Sequence, residues 1–457
     1  MRSLSVVDRL FLLLENRKQP MHVAGLCIFE QPSTAHDDFV GQLVKQIYDG
    51  KFTPSFPFNQ VLRRFGFWDT DDNFDLSHHF HHVALPTDAS GRGSMTALMA
   101  YISREHGRML DRSRPLWEFH LIEGLAPEKD GAPPRFAIYV KIHHAMADGI
   151  AAMRLLQLSL CESPDERTLL PFWSLTTKNR NQIDALLPIH KPAWHIIKEQ
   201  LGTIKPVCSE IWRSLLKRSD TSVLSTFDTP KSMLNQRIGS ARQLAMQSFD
   251  KSRFVRIAEH FGTTTNDVIL AVCAGALREY LLSQNALPDK PLSAFVPVSL
   301  RKDKSALGNQ ISFLLTNLGT HLDSPMARLA TIKSSIDDGK RRFARMNQAQ
   351  IINYSALIYG WAGLNLITRA HPTRQAFNLI ISNVPAMDRP LYLNGARLTG
   401  IFPASVLFDG QALNITLTNF QNTIDVGITA CSDALPNSER LLEFMQNELD
   451  RLTALLK

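Results

Sequence analysis

The chain has 457 residues, 44% hydrophobic and 20% charged, a balance that leaves ample apolar surface to bury and excludes extended disorder or a single small domain. Its formal net charge of +7 and pI near 9.1 favour anionic partners. The basic side chains are scattered, as at Lys178-Asn-Arg180, Lys217-Arg218 and Lys340-Arg-Arg342, without interleaved aromatic residues, so nucleic acid is excluded as a partner.

Five cysteines (Cys27, Cys161, Cys208, Cys273 and Cys431) are odd in number and form no Cys-x-x-Cys pair, which points to reduced thiols in the cytoplasm. The first residues lack the apolar run of a secretory signal, and no segment reaches the roughly 18 consecutive apolar residues of a membrane span.

In chain order, Phe39, Leu43, Val44 and Ile47 form the apolar stripe of a helix over 37–49, and a second helix is predicted over 95–110. Residues 135–142 alternate, with Phe136, Ile138, Val140 and Ile142 on one face and Tyr139 and Lys141 on the other, as in a half-buried strand. From 166 to 233 the pattern loosens into prolines, charges and short helical pieces such as 211–216, as in an inter-lobe linker. The second half opens with a strand over 243–249 and a helix over 266–282, preceded by three threonines suited to capping. A long helix follows over 326–346, then strands over 377–382, 413–420 and 423–431. Asn394-Gly395 signals a tight hairpin, and Ser438 stands where it would cap a closing helix with Leu441, Leu442, Met445, Leu449 and Leu452 on its apolar face. The chain thus reads as an N-terminal lobe over 1–165, a linker over 166–233 and a C-terminal lobe over 234–457. Both lobes are mixed α/β, of the α+β kind with antiparallel pairing, and no G-x-G-x-x-G or phosphate loop suggests a nucleotide fold.

The strand over 135–142 runs into His143-His144-Ala-Met-Ala-Asp148-Gly149 and then a helical stripe of Ile150, Met153, Leu156 and Leu160. Continued alternation puts His144 on the face of Ile142 and Val140, with His143 opposite. A neutral imidazole can take a proton from a hydroxyl within about 3 Å, so His144 is the candidate general base. Asp148 can orient the site or cap the following helix, and Gly149 can supply backbone freedom for the turn.

These residues resemble the H-H-x-x-x-D-G signature of CoA-dependent acyltransferases and peptide-synthetase condensation domains. With Gln19-Pro-Met-His-Val23, Arg114-Pro115-Leu-Trp117, Asn266-Asp-Val-Ile-Leu270, Pro297-Val-Ser-Leu-Arg301 and Ser382-Asn-Val-Pro385, the whole chain resembles the bacterial wax ester synthase/diacylglycerol acyltransferase family. One departure is Ala386, where that family usually has glycine. The resemblance implies two chloramphenicol-acetyltransferase-like lobes with an active-site tunnel between them, and it implies acyl-CoA as co-substrate without a further cofactor. A fatty alcohol or diacylglycerol would be the acceptor, and the setting a membrane or lipid-droplet surface.

Within that frame Asn266, opening a helix in the second lobe, is the candidate oxyanion donor, or else only a helix cap. Arg301 could pair with Asp148, and Trp117, after Pro115, could line the substrate channel or sit in the core. Gly360, inside an apolar helical stretch over 353–367, permits either close packing or room for an alkyl tail. The cluster His78-His79-Phe-His81-His82 invites a metal, yet its spacing matches no zinc pattern and no metal is expected. Two other readings stay open, a condensation-type enzyme using carrier-protein thioesters and a non-catalytic lipid-droplet-binding protein.

Overall fold

The computed structural model describes residues 2–456 except 5, 36–37, 64–65, 88–91, 176–228, 300–310, 347–349, 352–353, 355–364, 366–367, 369–372 and 374. Arg301, Gly360 and most of the linker over 166–233, with its helical piece at 211–216, lie outside the described residues.

The first part of the chain forms β1 (Arg2–Ser3), α1 (Val6–Leu14), β2 (His22–Glu30), α2 (Phe39–Asp49), β3 (Gln60–Arg63), β4 (Phe67–Thr70) and β5 (Phe80–Ala84). It continues with α3 (Met95–His106), β6 (Trp117–Leu125), β7 (Arg135–His143) and α4 (Gly149–Leu158). α2 buries Phe39, Val40, Leu43 and Ile47, the stripe its sequence spacing requires. α3 stops at His106 and not near 110, because Gly107 caps it through its backbone N–H and Leu110 turns into the core. β7 is buried on both faces where alternation suggested one: Phe136, Ile138 and Ile142 join one cluster, while Ala137 and Tyr139 pack with Leu98 and Ile102 of α3.

After the linker come β8 (Arg242–Asp250), α5 (Lys251–His260), α6 (Thr265–Ser283), β9 (Ser293–Ser299), β10 (Ile311–Asn317), α7 (Pro325–Ala344) and β11 (Leu379–Pro385). Then follow β12 (Tyr392–Leu393), β13 (Ala396–Ala404), β14 (Leu413–Phe420), β15 (Thr423–Cys431) and α8 (Arg440–Ala454). Thr264 caps α6 in a reciprocal box with Asp267, so Asn266 lies inside the first turn and is not the cap. Ser438 does not cap α8 either; its hydroxyl donates to Gln243 Oε1 at 3.0 Å, and the helix starts without a side-chain cap. Asn394 (φ 48°) and Gly395 (φ 85°) make the β12–β13 turn, both left-handed as a two-residue hairpin demands.

Two six-stranded sheets carry the two lobes, in the orders β12-β13-β2-β7-β6-β5 and β10-β9-β11-β14-β15-β8, and β1, β4 and β3 form a small third sheet. In the first, β5 and β6 are parallel and the other pairs antiparallel; in the second, β11 runs parallel to both β9 and β14. α5, α6, α7 and α8 cover one face of the second sheet in a single apolar core. Sheet membership does not follow sequence halves, since β13 crosses to pair with β2 from Arg397–Glu30 to Ala404–Ala24. There the sheets meet: Ile401 N donates to Asp425 Oδ2 at 2.8 Å and Thr418 Oγ1 to Ile401 O at 2.6 Å. Gly427 makes this approach possible, as a Cβ there would stand 1.8 Å from the Pro403 carbonyl oxygen.

Candidate active site

β7 ends at His143 because its neighbours stop pairing there. His143 is the last residue in register with β2, opposite His22, and its N–H donates to Leu116 O at 3.0 Å. The chain then turns, with Met146 N on His143 O at 2.8 Å, and α4 starts at Gly149. Pro115, whose carbonyl accepts from Trp117 N at 2.9 Å, directly precedes Leu116, whose carbonyl anchors the end of β7.

The two histidines face opposite ways. His144 lines a cavity of about 440 Å³ together with Val140 and Ile142, the residues it alternates with. His143 is fully buried on the other side. Its Nδ1 accepts from Ala145 N at 3.1 Å, which leaves the ring proton on Nε2, facing Glu15 Oε1 at 3.4 Å. That carboxylate also accepts from Met21 N at 3.1 Å and Arg112 Nε at 2.9 Å. The Met21 carbonyl in turn takes the His144 N–H at 2.8 Å. Phe11 of α1 stacks on the His144 ring, centroids 4.1 Å apart and planes 21° apart.

Burial lowers the His144 pKa below its ordinary value, against a bond to its own backbone and the charge of Asp148, which raise it. Only Nδ1 can reach the residue's own carbonyl, so the Nε2 lone pair is left as the proton acceptor. Asp148 is exposed and caps α4, accepting from Ala151 N at 2.8 Å. Gly149 does not have the positive φ that a sharp turn needs; it lies on the cavity wall with nothing within 4 Å of a Cβ, so the missing side chain leaves space beside His144.

The rest of the wall is apolar and comes from both sheets, including Phe119, Leu121, Ile138, Phe295, Ile380 and Val384, with polar groups from Ser382, Asn414 and Thr416. Asn266 is not on it. Its Oδ1 accepts from Asn383 Nδ2 at 3.4 Å, and Asn383 points away from the face on which Ser382 and Val384 meet the cavity. Trp117 is also off the wall, fully buried with Nε1 on Phe58 O at 2.8 Å and stacked on Trp173, which does line the cavity. Nothing in the sequence points to Phe11 and Glu15 beyond a short apolar stretch, Val6–Leu14, followed by a lone acidic residue, whereas Met21 falls in the segment 19–23 already singled out, without a role.

Residues 4–269 match the family model of the wax ester synthase/diacylglycerol acyltransferase catalytic domain, and residues 307–453 that of the corresponding C-terminal domain. The chain is similar to O-acyltransferase WSD of Acinetobacter baylyi, 46% identical over 452 residues that cover 98% of this chain and 96% of the relative. It is 38% identical to a Mycobacterium tuberculosis protein named as a probable diacylglycerol O-acyltransferase, over 97% of each chain. The solved wax ester synthase/diacylglycerol acyltransferase from Marinobacter aquaeolei VT8 matches with a TM-score of 0.81 and 38% identity over 100% of both chains. The first condensation domain of the calcium-dependent antibiotic synthetase shares the fold at a TM-score of 0.57 and 13% identity, over 100% of this chain and 96% of that one.

Proposed function

The chain belongs to the wax ester synthase/diacylglycerol acyltransferase family, and from that premise we infer that His144 is the base with which it moves an acyl group from CoA to a hydroxyl. The protein is an O-acyltransferase whose acceptors are fatty alcohols or diacylglycerol, giving wax esters or triacylglycerol. The observation that carries the assignment of the base is the position of the His144 ring, half-buried on the wall of a deep apolar cavity built by both lobes, where burial favours its neutral form.

In the reaction His144 Nε2 takes the acceptor's proton as its oxygen attacks the thioester carbonyl. The tetrahedral oxyanion collapses, the C–S bond breaks, and the proton passes to the leaving CoA sulfur. Ser382 and Asn414 are wall groups able to donate to the oxyanion, a role for which Asn266 faces the wrong way. Transfer is direct. Cys27, the cysteine on the described wall, is pushed by burial and by the Asp425 charge to about 12, far from a reactive thiolate. Burial likewise holds Cys273 at about 12.

We propose in addition that the enzyme works at a lipid surface. Its acceptors are water-insoluble, its net charge is +7, and α1 exposes Leu10 and Leu13 (71%) next to Phe11, which touches His144. No helix among the described residues is long and apolar enough to cross a membrane. Flotation with anionic vesicles tests this, and Leu13→Glu should release the protein.

The decisive experiment measures CoA release from palmitoyl-CoA with hexadecanol, with diacylglycerol and without acceptor. Acceptor-dependent release is expected, falling about a hundred- to ten-thousand-fold in His144→Ala. Unchanged release in that variant, or a stoichiometric acyl adduct by intact-protein mass spectrometry after acyl-CoA alone, would overturn the mechanism.

A further inference from the structure

The first sheet has a second concavity on the face turned away from the substrate cavity. Along β6, Phe119 and Leu121 line the cavity, so Glu118 and His120 point to the opposite side, towards α3. β5 lies parallel to β6 with His81 opposite His120, and the ligand atoms of His81, Glu118 and His120 lie within 4.8 Å of one another. A pocket of about 420 Å³ opens at these side chains, with Tyr101, Arg108 and Lys141 also on its wall.

We propose that this pocket is a divalent transition-metal site, with His81, Glu118 and His120 as ligands and Zn²⁺ as the ion that two imidazoles and a carboxylate suit. His120 Nε2 and Glu118 Oε2 are 3.4 Å apart. That equals the edge of a tetrahedron with metal–ligand bonds of about 2.1 Å, roughly 3.4 Å. Tyr101 OH lies 2.8 Å from His120 Nδ1. Without an ion His120 Nε2 hydrogen-bonds Glu118 Oε2; with Nδ1–H donating to the Tyr101 hydroxyl instead, the Nε2 lone pair faces the carboxylate and an ion can replace that bond. His81 stands on the edge strand, half-buried, and no described residue hydrogen-bonds its ring, so it is free to close on the ion.

Lys141 sets the strength of the site. Its ammonium lies 2.7 Å from Glu118 Oε2 and donates to the carbonyls of Glu105 and Arg108. It steadies Glu118 when no ion is present and opposes an arriving ion, so the site is weaker than a structural zinc centre. Bound metal would pin the edge strand β5 to β6, on the far side of the sheet from His144. The site revises the expectation of no metal: the cluster over 78–82 contributes one ligand, His81, and its local spacing matched no zinc pattern because the other two come from β6, where they alternate with core residues.

The test uses untagged, metal-stripped full-length protein titrated with Co²⁺ and Zn²⁺. Expected are one equivalent of Co²⁺ with the visible absorption of a tetrahedral site, its displacement by Zn²⁺, and a rise in Tm with Zn²⁺. All three should vanish in His81→Ala, a half-exposed position on an edge strand, and persist in His78→Ala, an exposed histidine outside the cluster. Tyr101→Phe should weaken Co²⁺ binding about 10- to 100-fold. Lys141→Met, by removing the opposing charge, should strengthen it. Absence of a saturable Co²⁺ band in the parent protein, or a band unaltered in both His81→Ala and His120→Ala, would overturn the proposal.

Discussion

Glu15 joins the N-terminal helix to both motif histidines, to the His143 ring directly and to the His144 backbone through Met21. Burial pushes its carboxyl up, but the His143 ring, the Met21 amide and Arg112 outweigh burial and hold it below the ordinary carboxylate range. Glu15 is therefore a positioning residue. In Glu15→Gln we expect kcat to fall while KM for the acceptor stays within about twofold, since no wall residue changes. An unchanged kcat in a folded variant would reduce Glu15 to an anchor of the fold. The pH profile gives a second check on the same residues. Because burial lowers the His144 pKa, kcat/KM should be on its plateau above pH 6.5 and fall only as pH drops below it. The Asp148 charge raises that pKa, so Asp148→Asn, which keeps the helix cap, should move the acid limb lower still. At this scale the sequence showed the histidine pair and the face each takes, because alternation along β7 continues through His144. It showed neither Glu15 nor Phe11, which reach the motif from a distant stretch of chain.

Periodicity located six of the eight described helices and the strands β7, β8, β11, β14 and β15 with the β12–β13 turn, but it passed over α1, α5 and most strands of the first half, and in the elements it did locate the errors fell at ends where a tertiary contact beat the local signal. Ser438 bonds Gln243 instead of capping α8, and Thr264 took the cap that three successive threonines left undecided. A close approach of strands is harder to read, since a glycine in a strand gives no hint of what lies against it. Gly427 of β15 is the example. Its missing side chain lets the Pro403 carbonyl of β13 come so near that an added Cβ would overlap backbone, which cannot swing aside. Gly427→Ala should thus cost at least the roughly 1–3 kcal/mol typical of overpacking, read as a lower midpoint in urea denaturation. Gly149→Ala, with open space around the new Cβ, is the contrasting variant and should melt within about 0.5 kcal/mol of the parent. Equal midpoints for the two would mean the sheets are not in such close contact.

The crossing of β13 into the first sheet makes one molecule of two lobes, and no local pattern in Ala396–Ala404 names β2 as its partner. Two buried histidines sit at that junction. His106 Nε2 donates to Ser405 O at 3.1 Å just past β13, so its Nδ1 accepts from Tyr139 OH at 2.9 Å, and His22 Nε2 donates to His106 O at 3.0 Å. Both rings must be neutral. Burial, aided by Arg242 and Lys141, brings His106 to about 3, and burial, with the Lys141 charge and the neighbouring His106 ring, holds His22 well below 6.5. In the unfolded chain each titrates near 6.5, so below that pH the unfolded state binds more protons than the folded one. Stability is therefore complete above pH 6.5 and is lost as pH falls towards the folded values, by up to about 1.4 kcal/mol per pH unit for each ring. The stabilised carboxylates Glu15 and Glu118 weaken only below about 4.5, which leaves pH 6.5 to 5 as a window for the histidines. Urea denaturation across it should show a loss of at least about 3 kcal/mol, since His79 and His144, also lowered by burial, act in the same sense, and His106→Gln, unable to take the proton, should remove up to about 1.4 kcal/mol per pH unit of that slope. A slope unchanged by His106→Gln would locate the acid sensitivity elsewhere than at the junction of the lobes.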